Sequence, residues 1–127
     1  TALRGRELKT FDDDKENQRF MVLRASWFGD YNDPTTFLDM LTTGNGNNDA
    51  GFSLPEYDAL VKKAETCRDA KERMAILAQA ENMLIQEQVP FMAIYYYVNL
   101  LAYRPEVKGV YPNARDMYPF KYIYVEK

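Results

Sequence analysis

Trp27-Phe28-Gly29-Asp30-Tyr31-Asn32-Asp33-Pro34 is the stretch on which the reading of this chain turns. Ahead of it, Phe20-Met21-Val22-Leu23-Arg24-Ala25-Ser26 opens with four consecutive apolar residues. That pattern predicts a strand covered on both faces, internal to a sheet. Behind it, Asp33-Pro34 predicts a helix start, with Asp as N-cap and Pro at the first helical position. Between strand and helix sit aromatics, a glycine and the carboxylate of Asp30. A carboxylate at the mouth of a strand, beside aromatic walls, suits capture of a cationic group such as an amine. The plainer alternative is a polar turn in which Asp30 bonds its own backbone.

Composition narrows the function classes. A chain of 127 residues holds one modest core, and an apolar content of 46% excludes a disordered tail. The net charge of −3, from 16 basic and 19 acidic residues, supplies no global basic field for nucleic acid or anionic membrane. There is no histidine, so the commonest general base and the commonest metal ligand are both missing. Cys67 is the single cysteine, which rules out an intrachain disulfide and a Cys-cluster zinc site. It reads as a small apolar residue on a helix face. No apolar run reaches membrane-spanning length, and no signal peptide is recognisable. A chain opening at Thr1 without Met is expected of a mature or truncated form.

Outward from the central stretch, residues 6–17 predict a short polar helix anchored by Leu8 and Phe11. Its Asp12-Asp13-Asp14-Lys15-Glu16 run lacks the alternating spacing and central glycine of a calcium loop and reads as a solvated helix end. Beyond Asp33, Phe37, Leu38 and Leu41 line one face of a short helix. Gly44-Asn45-Gly46-Asn47-Asn48-Asp49 is a loop by its turn chemistry. Ser53-Leu54-Pro55-Glu56 and Asp69-Ala70-Lys71-Glu72 each carry a capping-box signature. The two helices they start, the second running to about Gln88, predict an antiparallel pair with Glu72 and Arg73 among its solvated charges. Val89-Pro90 stops the second helix. Residues 91–103, with Tyr95-Tyr96-Tyr97 at their centre, predict a strand, and 120–125 predict another.

No phosphate loop, nucleophile elbow or paired acid–base constellation is present, so an enzyme is the weaker hypothesis. A binding module rich in Tyr, Asn and Trp remains. An extended peptide can add as a strand, with affinity from main-chain hydrogen bonds. Arg24 and Asp30 lie six positions apart, which is roughly 20 Å on an extended stretch and enough to serve different parts of one short peptide. A second class also stands: a structural or interaction domain that docks a partner through its aromatic strand.

Three segments carry a resemblance: Arg24 through Pro34, Val89-Pro90 through Asn99, and 118–127. They resemble the ligand-binding strand, a late crossing strand and the closing strand of bacterial oligopeptide-binding proteins, the extracytoplasmic receptors of peptide ABC importers. The resemblance implies an α/β fold, here a C-terminal-lobe fragment of a two-lobed periplasmic-binding-protein-like receptor, a mixed sheet with packed helices. Residues 1–95 would belong to that lobe, and 96–127 would form a hinge strand and a tail returning toward the other lobe. By the same resemblance, Asp30 pairs with a peptide α-ammonium. Ser26, Trp27, Phe28 and Gly29 supply backbone pairing and a wall. Arg24 and Lys15 meet the peptide carboxylate, and Tyr97 lines the cavity. Phe28 stands where the best-known members have cysteine, and Lys15 where they have arginine, which keeps the charge but loses the bidentate fork. The implied partners are a short peptide and a membrane permease, with no nucleic acid, no cofactor and no membrane insertion of this segment. The implied location is periplasmic, or extracytoplasmic through a lipid anchor. Relatives of the same fold that bind metal complexes, haem or sugars leave a non-peptide solute as the alternative ligand.

Overall fold

The computed structural model describes residues 4–113 and 115–126. Thr1, where the expected lobe segment opens, and Lys127, where the expected closing strand ends, lie outside them.

The core is helical. Helix α3 (Pro55–Thr66) and helix α4 (Ala70–Asn82) form a hairpin, and α4 runs on into a π-helical turn, Met83–Gln88. A short helix α2 (Thr35–Leu38), extended by a 3-10 turn over Asp39–Leu41, lies against α4. The apolar spacing of these segments turns Tyr57, Val61 and Ala64 of α3 toward Ile76, Leu77 and Ala80 of α4, with Leu38, Leu41 and Leu84 closing the cluster. Ala64 and Ala80 are fully buried, and their small side chains let the two helices approach closely. Tyr57 is also fully buried. Its hydroxyl donates to the Leu38 carbonyl at 2.5 Å, tying α2 to α3. Burial, with Asp39 and Asp58 nearby, holds that phenol well above the ordinary tyrosine range.

The helix ends follow local chemistry only in part: α2 starts at Thr35, with Pro34 rather than Asp33 in the capping position and no side-chain cap bond from it. Asp69 caps α4, its Oδ1 accepting from the Glu72 amide at 2.7 Å, as its capping box predicts. Ser53 does not cap α3. Leu54 occupies that position with no side-chain bond, and the Ser53 hydroxyl instead lies 3.0 Å from that of Thr43 across the loop. Pro55 supplies the helix start by its fixed φ. At the other end of α4, Val89 sits at φ 47°, a strained left-handed conformation for a β-branched residue, with Pro90 directly after it. Helix α1 (Leu8–Glu16) forms as expected, capped by Glu7, and buries none of its residues.

The strand predicted over 20–27 does not form a ladder, and neither does the one over 91–103. Met21 is 100% exposed, Tyr96 95% and Leu100 93%. A strand needs neighbours for its backbone donors and acceptors, and among the described residues none lies alongside to supply them. The sheet among the described residues is a two-stranded antiparallel pair, β1 (Val107–Lys108) with β2 (Tyr124–Val125), in the register Val107 to Val125. Gly109 permits it: at φ +80° its position of closest approach would put a Cβ only 1.8 Å from the Tyr122 carbonyl oxygen. Within the expected closing strand, 120–122 is a 3-10 turn and only Tyr124–Val125 pairs.

Candidate ligand-binding site

Asp30 stands on an exposed loop between residues 20–28 and α2. Two contacts set the path of that loop. The Asp30 amide donates to Thr36 Oγ1 at 2.9 Å. Gly29 passes so close to α2 that a Cβ there would lie 3.2 Å from Thr36 Cγ2 and 3.4 Å from the Phe37 ring. The loop is therefore pressed onto the first turn of α2, which fixes where Asp30 leaves the backbone.

Asp30 and Trp27 line a cleft of about 110 Å³, together with Tyr31, Thr36, Asp39, Met40, Asn45 and Asn47. At about 30 Å³ per water, that volume suits a group the size of an ammonium with its first carbons. Asp39 is the second carboxylate of the cleft. Burial is the main cause pushing its carboxyl above the ordinary range, and a bond from the Tyr31 hydroxyl, at 3.3 Å to Oδ2, opposes it. Among the described residues, Asp39 Oδ1 and Trp27 Nε1 are buried without a hydrogen-bond partner. No basic side chain lies within ion-pair distance of Asp30 among the described residues. The cleft is thus lined by two carboxylates and the Trp27 ring, a set that favours a cation.

A second cluster gathers Arg24, Phe28 and Tyr97. The Arg24 guanidinium donates to the Tyr97 hydroxyl and, at 3.4 Å, to that of Tyr95. It also lies 5.7 Å from the centre of the Tyr97 ring. Phe28 stacks on the same ring, with centroids 5.6 Å apart. Residues 20–28 and 91–103 therefore meet through side chains, although no ladder joins them. Arg24 remains exposed there, bonded to the phenols of Tyr95 and Tyr97.

The expected site residues are thus split. Trp27 and Asp30 share the acidic cleft, while Arg24, Phe28 and Tyr97 form the aromatic cluster. Ser26 is exposed beside them. Lys15 belongs to neither. It lies at the end of α1, 3.5 Å from Asp49, in a groove of about 390 Å³ whose Asn45 and Asn47 also border the Asp30 cleft.

The residues that sequence reasoning missed are Asp33, Thr36 and Arg73. Asp33, expected as a helix cap, accepts from the Thr35 amide at 3.0 Å and the Thr35 hydroxyl at 2.8 Å. Arg73, expected on a solvated face, forks onto both oxygens of Asp33 at 2.7 and 2.8 Å. That guanidinium holds the Asp33 carboxyl far below the usual carboxylate range. Forty positions separate the two residues, so no local pattern carries the pairing.

No protein-family model matches the chain. Comparison with individual proteins is more telling. The chain is 39% identical to the periplasmic murein peptide-binding protein MppA of Escherichia coli, over 98% of this chain and 23% of that protein. It superposes on the structure of that protein with a TM-score of 0.85, over 99% of this chain and 25% of the other. The crystal structure of Haemophilus influenzae OppA in complex with the peptide RPPGFSPFR matches with a TM-score of 0.82 at 32% identity, again over 99% and 25%. A third relative, at 35% identity over 98% of this chain and 23% of its own length, is YgiS of Escherichia coli, named as a probable deoxycholate-binding periplasmic protein. These relatives are named as binding proteins, and the chain spans about a quarter of their length. Residues 20–28 and 91–103 find no ladder here, but the superposition runs through almost all of the chain, so the α/β class of the resemblance stands. Sequence and structure together make this chain a segment of the bacterial oligopeptide-binding-protein family.

Proposed function

We propose that this segment supplies the amine-recognising part of a peptide site in the extracytoplasmic solute-binding protein of an ABC importer, with the membrane permease as its downstream partner and no catalytic role. The observation that carries the reading is the cleft in which Asp30 and Asp39 face a small volume, with no basic side chain among the described residues lining it. A peptide α-ammonium there gains a charge-assisted bond to Asp30, and its further N–H groups find the other acceptors of the cleft. Residues 20–28 join no ladder among the described residues, and an extended peptide adds beside them as a strand. Phe28 and Tyr97 form an apolar wall, and Arg24, bonded among the described residues to the phenols of Tyr95 and Tyr97, can meet a peptide carboxylate. Lys15 reaches the same end of a longer ligand only by leaving Asp49. MppA and OppA, named for peptides, support the ligand class.

The test is to titrate free and N-acetylated forms of one peptide into the family-length protein that carries this segment and into its Asp30→Asn variant. Removing one partner of a desolvated charge pair costs about 2–5 kcal/mol, so Asp30→Asn lowers affinity for the free amine roughly 30- to 3,000-fold. The acetylated peptide binds poorly to both. Equal affinity of the unmutated protein for the two forms defeats the reading. That outcome favours a second one, a non-peptide solute, for which the likeness to YgiS is the motivating observation.

A further inference from the structure

Asp30 is exposed, as are Tyr31 and Asn32, and the loop that carries them is fixed to the helical core at few points. The polar ties can be followed bond by bond. The Arg73 guanidinium, on α4, grips both oxygens of Asp33 at 2.7 and 2.8 Å. Asp33 Oδ1 accepts from the amide and the hydroxyl of Thr35, at 3.0 and 2.8 Å. The next residue, Thr36, receives the Asp30 amide on its hydroxyl at 2.9 Å. The Tyr31 hydroxyl lies 3.2 Å from that of Thr35 and donates to Asp39. One ion pair between α4 and the loop therefore anchors the turn from which Asp30 projects and the tyrosine that steadies Asp39.

The pair has an electrostatic consequence as well. Asp33 engages both arms of the guanidinium, so Arg73 is not available to neutralise Asp30 three residues away. Without Asp33, a cation would stand free beside a site built to receive one.

We propose that Arg73 and Asp33 are positioning residues for amine recognition, setting the place of the Asp30 carboxylate and keeping it free of a competing cation. The proposal deepens the peptide reading and rests on Asp30 being the partner of the amine. A bidentate pair gives geometric definition that a single charge contact does not. A liganding group held by outer partners in this way commonly loses affinity when they are removed.

The experiment uses the family-length protein with Arg73→Ala, Arg73→Lys and Asp33→Asn, each titrated calorimetrically with one peptide in free and N-acetylated form. The readout is the ratio of the two affinities. Arg73→Ala and Asp33→Asn lower affinity for the free amine by roughly tenfold, the scale on which outer partners act on a liganding group. They leave the acetylated peptide within about twofold, so the ratio falls roughly tenfold while the rest of the site still binds. Arg73→Lys, which keeps the charge and loses the fork, falls between. A merely structural role would lower both affinities together, and that result, or an unchanged ratio, overturns the proposal. If Arg73→Ala does not fold, Arg73→Lys decides: a reduced ratio supports the proposal and an unchanged one ends it. Failure of the underlying reading is seen separately, as equal affinity for the two forms before any mutation.

Discussion

Residues 35–88 are far poorer in apolar residues than residues 91–103, yet the two stretches have the opposite fates to what that predicts. The first stretch buries Leu38, Leu41, Tyr57, Val61, Ile76, Leu77 and Leu84 in one cluster. The second leaves Ile94, Tyr96, Val98 and Leu100 largely open. The difference lies in the backbone. A helix satisfies its own N–H and C=O groups and needs only a side-chain partner, which a hairpin of two helices provides within about thirty residues. A strand needs a neighbouring strand to pair with, and among the described residues none pairs with 91–103. Burial in this molecule therefore tracks where hydrogen bonds can close locally, not where the apolar residues are.

The comparison is broken first at the centre of the helical cluster. Leu77 is 2% exposed, between α3 and α4. Leu77→Ala removes its packing and leaves a cavity, at a cost of about 2–5 kcal/mol. Urea unfolding of the 127-residue chain followed by circular dichroism measures it. A loss under about 1 kcal/mol would mean that the hairpin is not a packed core. A smaller effect is expected at Tyr57, whose hydroxyl alone joins α3 to the Leu38 carbonyl. Tyr57→Phe keeps the ring and strands a buried carbonyl, for about 1–3 kcal/mol. The phenol is held well above its ordinary range, so this bond persists through neutral and mildly alkaline pH. The difference between the two proteins should accordingly stay flat from pH 6 to about 9, below the ordinary tyrosine range.

The same contrast explains what could be read from the sequence. Helices α3 and α4 were legible because apolar spacing, a proline start and the Asp69 cap are all local signals. Ser53 misled because it has the right type at the right offset, yet Thr43, ten positions back, takes its hydroxyl. The strands over 20–27 and 91–103 were read from residue types that fit a sheet, and a sheet is a property of neighbours. At the site, Trp27 and Asp30 were legible as an aromatic–carboxylate pair on a turn, and they do share a cleft. Arg73 was not, because the contact that gives it meaning spans forty positions and looks, in sequence, like one more charge on a helix surface.

The smallest effect is the sharpest test of the comparison. Leu100 is 93% exposed, so in the 127-residue chain Leu100→Ser removes almost no buried area. Surface substitutions of that kind stay within about ±0.5 kcal/mol. The chain covers only about a quarter of its relatives' length, and in a protein of that length 91–103 gains the possibility of strand neighbours and a covering layer. If Leu100 is buried there, the same substitution loses the transfer free energy of a leucine side chain, about 1.5–3 kcal/mol, before any penalty for the hydroxyl. The two unfolding measurements therefore form one experiment. A near-zero effect in the short chain with a large one in the long protein means that this segment is a strand awaiting its sheet. A near-zero effect in both would mean that the apolar face stays open in the complete fold, and the aromatic run would have to be explained by ligand or partner contact instead. A large effect in the short chain would contradict the exposed placement of Leu100 itself, and with it the division between a self-sufficient helical unit and dependent strands.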